Sequence, residues 1–566
     1  MRKILFVLSI LAFVNISDCL AFEYSNKTSA SINGGSDPRK MKKRKIRKQF
    51  NRAIEFFYQQ QYDKSLALFK KMAKKDPERP NLNFFIGVNM LKLNKSKSET
   101  RTFFEKAVRL TVPNYIEKFD ENRAPAFAYY YLAQVYLSQN LFDEAINNAL
   151  LFRSFIPVSN SSLLKEVNQL IVSCHVAKAL YQNPDKNVDI KPLDVLNTSF
   201  TDFGAQFSAD GNQMFFSSRR NFSSNVNEKD LDGQYKSDIY YVTKNGQSWS
   251  SPTKINIACK DEANDNFCCL SIDGNYMFFS SDREQEQYDI YYCLKMLDGS
   301  WSEPRRLGEN INSYSSNETY AWLSLNWQTL YIVSDKKGGF GGRDIYFSKK
   351  MENSDWQKME NMGGVINTEF DEKSPYVSED GKQLFFSSRG HLTSGGFDIF
   401  YSENLDSTWT TSVNVGYPIN TVFDDHYFVQ SPDKKYAVYS SAKKGMESVQ
   451  DMYMISGFNN GLISANKAIL DNLKFADGAP NRKYLMAKDD KIKYTVQVGA
   501  GVKMQISSFN VLYGVKACTG KDALKRFIIG EFDNKEDAVK MKEEIIQLGF
   551  TDAWTPIIDE NRYDCE

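Results

Sequence analysis

The sequence predicts a multidomain chain: an all-α helical repeat array, an all-β propeller and a small α+β module. Three observations predict it. Apolar residues recur at helical spacing from about residue 46 to 181. Five segments between 186 and 457 repeat one strand–turn–strand pattern every 51 to 59 residues or so, roughly a propeller blade each. From residue 491 the chain alternates like strands and then shows one amphipathic helix.

Composition agrees with this division. Of 566 residues, 42% are apolar and 14% aromatic, with 40 Phe and 31 Tyr, a balance that favours pleated, half-buried surfaces. A net charge of +1 gives no sign of a polyanion binder, so nucleic acid is not an expected partner. Residues 1–21 read as a signal peptide. Arg2 and Lys3 lead, Ile4 to Val14 form a short apolar run, and Cys19-Leu20-Ala21 sets small residues before a cut after Ala21. The competing reading, a lipid-modified Cys19, fits less well because Asp18 stands where a small neutral residue is usual. No later segment is apolar enough to span a membrane. Export would place Cys174, Cys259, Cys268, Cys269, Cys293, Cys518 and Cys565 in an oxidising compartment, where one or two bridges and some buried free thiols are expected. Their spacing matches no zinc site, and no metal or cofactor is expected.

Residues 22–45 read as a basic tether, with a charged run from Arg39 to Lys45 grading into a helix. Residues 46–185 then show helix faces. Phe50, Ala53, Phe56 and Phe57 share one. Ser65, Leu66, Leu68, Phe69 and Met72 share another. Ala126, Tyr129, Tyr130, Ala133 and Tyr136, a break at Ser138 to Asn140, then Phe142, Ala145, Ile146 and Ala149 form a helix pair. This stretch resembles tetratricopeptide repeats, whose stacked pairs leave a concave groove for a protein or peptide. The plainer alternative is a set of helices that only braces the next domain.

The propeller repeat at 186–457 is the strongest signal. Its first copy reads Phe207-Ser208-Ala209-Asp210-Gly211, Phe215-Phe216-Ser217-Ser218, Asp238-Ile239-Tyr240 and Trp249. Copies follow around Asp273-Gly274, Asn326, Asp380-Gly381 and Asp433; the third is degenerate at its turn and the fifth lacks the tryptophan. Asp-Gly suits a tight hairpin, and the aromatic run suits an inner strand packed on both faces. Because the fifth copy lacks a last strand, the stretch Lys191 to Thr198 is expected to close the ring. Its Leu196-Asn197 matches Ile255-Asn256, Ile311-Asn312, Ile366-Asn367 and Ile419-Asn420. Five blades are expected, with six as the alternative. The repeats resemble those of TolB-type propellers, relatives of the WD-repeat class. That resemblance implies that Asp238, Asp289, Asp344, Asp398 and Asp451 fix turns and blade contacts.

Residues 458–490, poor in periodicity, read as a linker. In 491–566, Tyr494-Thr495-Val496-Gln497-Val498-Gly499 and Arg526 to Phe532 read as strands. Asp533-Asn534 caps a helix bearing Ala538, Met541, Ile545 and Leu548, and Phe550 to Ile557 reads as a last strand. The module resembles SPOR domains, small ferredoxin-like α+β folds that bind peptidoglycan glycan strands stripped of stem peptides. The resemblance implies a glycan site at Gln497, Leu524, Arg526 and Trp554. Ala500-Gly501 departs from the family pattern.

Catalytic signatures are missing from the sequence. No Gly-x-Ser-x-Gly elbow or phosphate-binding loop occurs, and Gly338 to Gly342 reads as a hairpin turn. Glu228, Asp230 and Asp232-Gly233 fit a calcium loop only in part, because its twelfth position is Ile239 and not Glu. His175, His391 and His426 are scattered and read as structural. The layout is similar to Bacteroidetes-type envelope proteins, including PorE-like type IX secretion and gliding components. It implies a non-enzymatic periplasmic scaffold, associated with the outer membrane, holding peptidoglycan and envelope proteins. The alternative is a periplasmic sensor or carrier with a ligand in the propeller channel.

Overall fold

The computed structural model describes residues 38–473 and 494–565, except 158, 222–228, 231, 247, 258–262, 285–286, 353–354, 406–407, 443–448, 502–514, 521–524, 533–534 and 548–562. The signal peptide with Cys19, the tether up to residue 37, and Cys259 lie outside the described residues. The chain forms two compact units, Met1–Asn481 and Arg482–Glu566.

The first unit opens with antiparallel helices, each packed on the next: α1 (Pro38–Tyr58), α2 (Tyr62–Ala73), α3 (Pro80–Lys92), α4 (Lys97–Ala107), α5 (Phe127–Leu137), α6 (Phe142–Ser154) and α7 (Ser161–Gln182). Their apolar faces are those the periodicity marks, with Phe50, Ala53, Phe69, Ala133, Ala145 and Ala149 buried. Small residues set the spacing. A Cβ on Gly87 would run into the Phe104 ring, so glycine lets α3 and α4 approach closely. Ser96 caps α4 by accepting the Glu99 N–H, in a Ser-x-x-Glu arrangement that satisfies a free helix-end donor. The helix pattern alone gave no hint of the segment between α4 and α5. There Thr111–Val112 pairs in parallel with Ala124–Pro125, and Phe119 packs against Phe50.

The five repeats fold as five blades, one five-stranded sheet and four of four strands. Each opens with an inner strand: Asp202–Phe207, Asp265–Leu270, Glu318–Leu323, Glu372–Val377 and Asp425–Gln430. These inner strands touch in cyclic order, the fifth returning to the first, so the sheet motif closes into a ring. Closure is by the early strand, Asp189–Pro192, which pairs antiparallel with Asp451–Ser456 and supplies the fourth strand of blade 5. The sharp turns repeat as well. Ser208 donates to Asp210 at 2.6 Å, Asp210 accepts the Asn212 N–H, and Gly211 sits at φ +69°. The degenerate third turn keeps this geometry with Ser324, Asn326 and a left-handed Trp327 at φ +59°.

Two details differ from expectation. Residues 458–490 are not all linker. Asn459 caps a helix, α8 (Asn460–Asp471), which lies on the outer strand of blade 4; its Asn466 amide donates to the Val415 carbonyl at 2.7 Å. Leu462, Ile463, Asn466 and Leu470 recur at helical spacing on its buried face, and its Asn-Gly start hides it. Ile255-Asn256 is also out of register with the other Ile-Asn pairs. The Ile255 N–H bonds the Ile239 carbonyl, the bond that Leu307, Met362 and Val415 make in later blades, several residues before their Asn.

The second unit holds a four-stranded antiparallel sheet in the order Tyr494–Gly501, Lys525–Phe532, Val515–Gly520, Tyr563–Cys565. Helix α9 (Lys535–Gln547) packs on the first two, with Phe527, Ile529 and Ile545 buried. The strand expected at 550–557 lies outside the described residues. The described last strand is Tyr563–Cys565, on the sheet edge beside Val515–Gly520.

Candidate functional surfaces: the ring axis, the helical dock and the C-terminal sheet

The carboxylates of the ring serve the backbone. Each inner strand opens on an acid that lies 16 residues before the last serine of its neighbour strand: Asp202 with Ser218, Glu318 with Ser334, Glu372 with Ser388. The acid also accepts from the turn ahead of it, as Thr368 N–H and hydroxyl do to Glu372 at 2.8 and 2.7 Å. The N–H of each acid bonds the preceding blade, for example Glu372 to the Arg343 carbonyl and Asp425 to the Phe397 carbonyl, both 2.7 Å. The residue before the acid returns the bond: Asp371 accepts the Arg343 N–H and Asp424 the Phe397 N–H. Burial raises the acids, Glu318 to about 7 and Glu372 to about 8, against hydrogen bonds that favour the ion. Sequence reasoning missed this set; the constant 16-residue spacing to Ser-Ser was the available signal.

The Ile-Asn residues form a second repeated device. The Asn367 amide accepts the Ile345 N–H and donates to the Ile345 carbonyl, both at 2.8 Å, and Asn420 does the same to Ile399. Asn197 and Asn312 repeat it. The outer strand is only two residues long in most blades, so the amide extends its pairing by side chain. The repeated aspartates are tied as well. Asp344 accepts Phe340 and Gly341 N–H groups in the glycine-rich hairpin. Asp398 accepts from Ser394 and Asn414, with burial raising it to about 7. Asp230 and Asp232 pair with Arg219.

At the axis, aromatic rings from non-adjacent blades meet. Tyr427 of blade 5 lies 5.4 Å from Phe203 of blade 1 and 5.8 Å from Tyr320 of blade 3, between ring centroids. Blades 3 and 5 are not neighbours, so this contact crosses the channel. Tyr427 reaches the axis from a bulge, at φ +57°, matched by Ser374 at φ +45° and Gly204 at φ +70° in the same strand position. Nearer the mouth, Lys373 sits 4.1 Å over the Phe397 ring, and its burial lowers the ammonium to about 8. His391 and His426 are buried and lowered to about 4 and about 3; His391 bonds the Ile366 carbonyl through its ring. Among the described residues no group of three or more His, Cys, Asp or Glu is placed to hold a metal ion.

Helix α7 fastens the helical array to the ring. Lys165, Gln169, Ala177 and Tyr181 fall at multiples of four, one stripe about 24 Å long. Lys165 donates to the Glu369 carbonyl and lies over Phe370, and Gln169 donates to the His391 carbonyl at 2.9 Å. Tyr181 stacks on Tyr417 at 4.0 Å and accepts the Val422 N–H, while Ala177 and Cys174 pack on Val422. All of these propeller residues lie in loops on one face, around blade 4. The helices therefore do brace the next domain.

In the C-terminal sheet the register sets Gln497 opposite Ile528 and Ala500 opposite Arg526, on adjacent strands. Of the four residues of the expected glycan site, this places Gln497 and Arg526 two rungs apart; Leu524 and Trp554 lie outside the described residues.

No protein-family model matches the chain, and no curated protein does. Among solved structures it is similar to a putative TolB from Agrobacterium tumefaciens, at 17% identity over 45% of this chain and 76% of that one, TM-score 0.30. It is similar also to TolB from Acinetobacter baumannii, at 14% identity over 46% of this chain and 56% of that one, TM-score 0.29. A periplasmic gluconolactonase from Pseudomonas aeruginosa matches at 10% identity over 44% of this chain and 84% of that one, TM-score 0.26. At these values the ring rests on the strand order and closure of this chain itself.

Proposed function

We propose that this chain is a non-catalytic scaffold of the bacterial periplasm that ties an envelope protein assembly to peptidoglycan. The tetratricopeptide-like array and the TolB-like propeller hold proteins, and the SPOR-like module holds glycan through Gln497, Leu524, Arg526 and Trp554. The observation that favours it is the firm union of array and ring through α7. A surface built from both, held in fixed relation, suits docking of large partners. The acids of the ring support the same reading, because they are committed to hydrogen bonds that hold blades together. An amide and a guanidinium two rungs apart suit sugar hydroxyls and acetamido groups. No helix among the described residues is long and apolar enough to cross a membrane. A place in type IX secretion or gliding follows from layout alone.

The second reading, a carrier with its ligand in the channel, has the charged mouth around Lys373 in its favour, but the Tyr427–Tyr320 contact fills the axis behind it. One experiment separates them. The mature chain should pellet with amidase-treated sacculi and lose that in Arg526→Ala, while a pulldown from envelope extract retains its protein partners. Equal pelleting of wild type and Arg526→Ala, or of treated and untreated sacculi, would remove the glycan role.

A further inference from the structure

We propose that Cys518 and Cys565 form a disulfide that staples the last strand of the C-terminal module to its sheet. Strands Val515–Gly520 and Tyr563–Cys565 pair antiparallel, with Cys518 directly opposite Cys565, Thr519 opposite Asp564 and Gly520 opposite Tyr563. Residues facing each other across an antiparallel pair have Cα atoms roughly 4.5 to 5.5 Å apart. That range lies within the roughly 4.4 to 6.8 Å a disulfide spans. The two cysteines are 47 residues apart in the chain, so their opposition is made by the fold and not by sequence proximity.

The strand itself argues for a tie. It is three residues long, at the sheet edge, and is reached through a long connection from α9. So few ladder bonds offset little of the entropy of holding that segment in place. Cys174, Cys268 and Cys269 are free thiols buried in the first unit. The bond would also bear on the glycan site. Arg526 stands opposite Cys518 on the other side, so one line across the sheet reads Ala500, Arg526, Cys518, Cys565. A covalent link at the end of that line fixes the strand neighbouring Arg526. The inference rests on the exported reading only for its oxidising compartment.

The chemistry is thiol–disulfide exchange with a disulfide-bearing oxidant. One cysteine thiolate attacks a sulfur of the oxidant, breaking its S–S bond and releasing a thiolate. The second cysteine thiolate then attacks the first cysteine's sulfur in the mixed disulfide and releases the oxidant's other thiolate. Two electrons pass to the oxidant, which leaves as a dithiol, and the pair's two protons go to it through solvent.

The test uses the full mature chain, equilibrated with oxidised glutathione, denatured, alkylated without reductant and digested with trypsin. The expected product is peptide Ala517–Lys521 joined to Tyr563–Glu566, lost on reduction. Alkylation of both cysteines, or a link from either to Cys259, overturns the proposal. In Cys565→Ser the segment after Gln547 should be cleaved by protease at least about tenfold faster in the native chain. Equal cleavage of variant and oxidised wild type overturns the stapling role. Neither readout depends on glycan binding.

Discussion

Blades 1 and 4 carry the same repeat and differ in what surrounds it. In blade 4 the loop from Arg389 to Phe397 is packed: His391 is buried, and Cβ atoms on Gly395 or Gly396 would strike Val422 and Asp424. Helices α7 and α8 cover that blade. In blade 1 the matching loop is longer in sequence, and Arg219 pairs there with Asp230 and Asp232. Yet both blades keep the acid–serine bridge. The ring is therefore specified by short side chains and backbone latches, while the loops are free to follow what they face. Where a loop is covered, every polar atom needs a partner and glycine is needed for space. Where it faces water, charge pairs suffice.

The sharpest test of this contrast is Gly395→Val. A side chain there meets backbone of the next blade, so a loss of at least about 4 kcal/mol is expected by chemical denaturation. The same probe at Gly233, which has open space in blade 1 but a left-handed φ of +80°, should cost only about 1 to 2 kcal/mol. A result with the two reversed would dissolve the distinction between covered and open loops.

Next in size is the Asn clamp. Asn420→Ala leaves the Ile399 N–H and the Asn414 side chain short of partners in a buried place, and should cost about 2 to 4 kcal/mol. Asn256→Ala, at an exposed position outside the clamp register, should stay within about 0.5 kcal/mol. Paired urea melts decide it.

Acid–base behaviour should follow burial around the ring. Glu318, Glu372 and Asp398 keep protons in the folded ring at pH values where the unfolded chain has lost them. Their contribution is complete below about pH 4 and is lost as pH rises through about 7 to 8. His391 and His426 work oppositely: they stay neutral in the fold, so their contribution holds above about 6.5 and fades as pH falls through about 4 and 3. With three acids against two histidines, Tm should therefore peak near about pH 4 to 5, decline as pH rises to about 8 and level off above it. Glu372→Gln should flatten the alkaline limb; an unchanged limb would show that another group sets it.

The smallest effect concerns the turns. Lys434 occupies the left-handed place that Gly211, Gly274 and Gly381 fill elsewhere, at φ +56°. Lys434→Gly should raise stability by up to about 1 kcal/mol, read as a slightly higher Tm.

Much of this was open to reading because the propeller states its pattern five times. Asp-Gly turns, aromatic strands and the missing fourth strand of the last copy pointed to a closing strand at Lys191 to Thr198; the strand itself is Asp189–Pro192, and Asn197 follows it as a side-chain clamp on Met452. Repetition also misled: Ile255-Asn256 looks like the other Ile-Asn pairs but stands where Leu307, Met362 and Val415 stand in the later blades, several residues before their Asn. The buried acids were overlooked because Asp and Glu alternate among copies and ordinarily signal surface. Helix α8 has a period, at Leu462, Ile463, Asn466 and Leu470, but it is short and opens on Asn-Gly, which reads as a turn. For the glycan site, spacing identified strands but said nothing of depth or orientation, and only Gln497 and Arg526 fall on described elements.

The strand that closes the ring is synthesised ahead of all the strands it joins. Asp189–Pro192 must stay unmated until Asp451–Ser456 follows it, some 260 residues later. Any chain halted before that point, by premature termination or by proteolysis, exposes raw sheet edges at both ends. Such fragments would invite pairing with other molecules. The architecture thus makes completeness a condition of solubility, and a cell could sort finished from unfinished copies by that property alone.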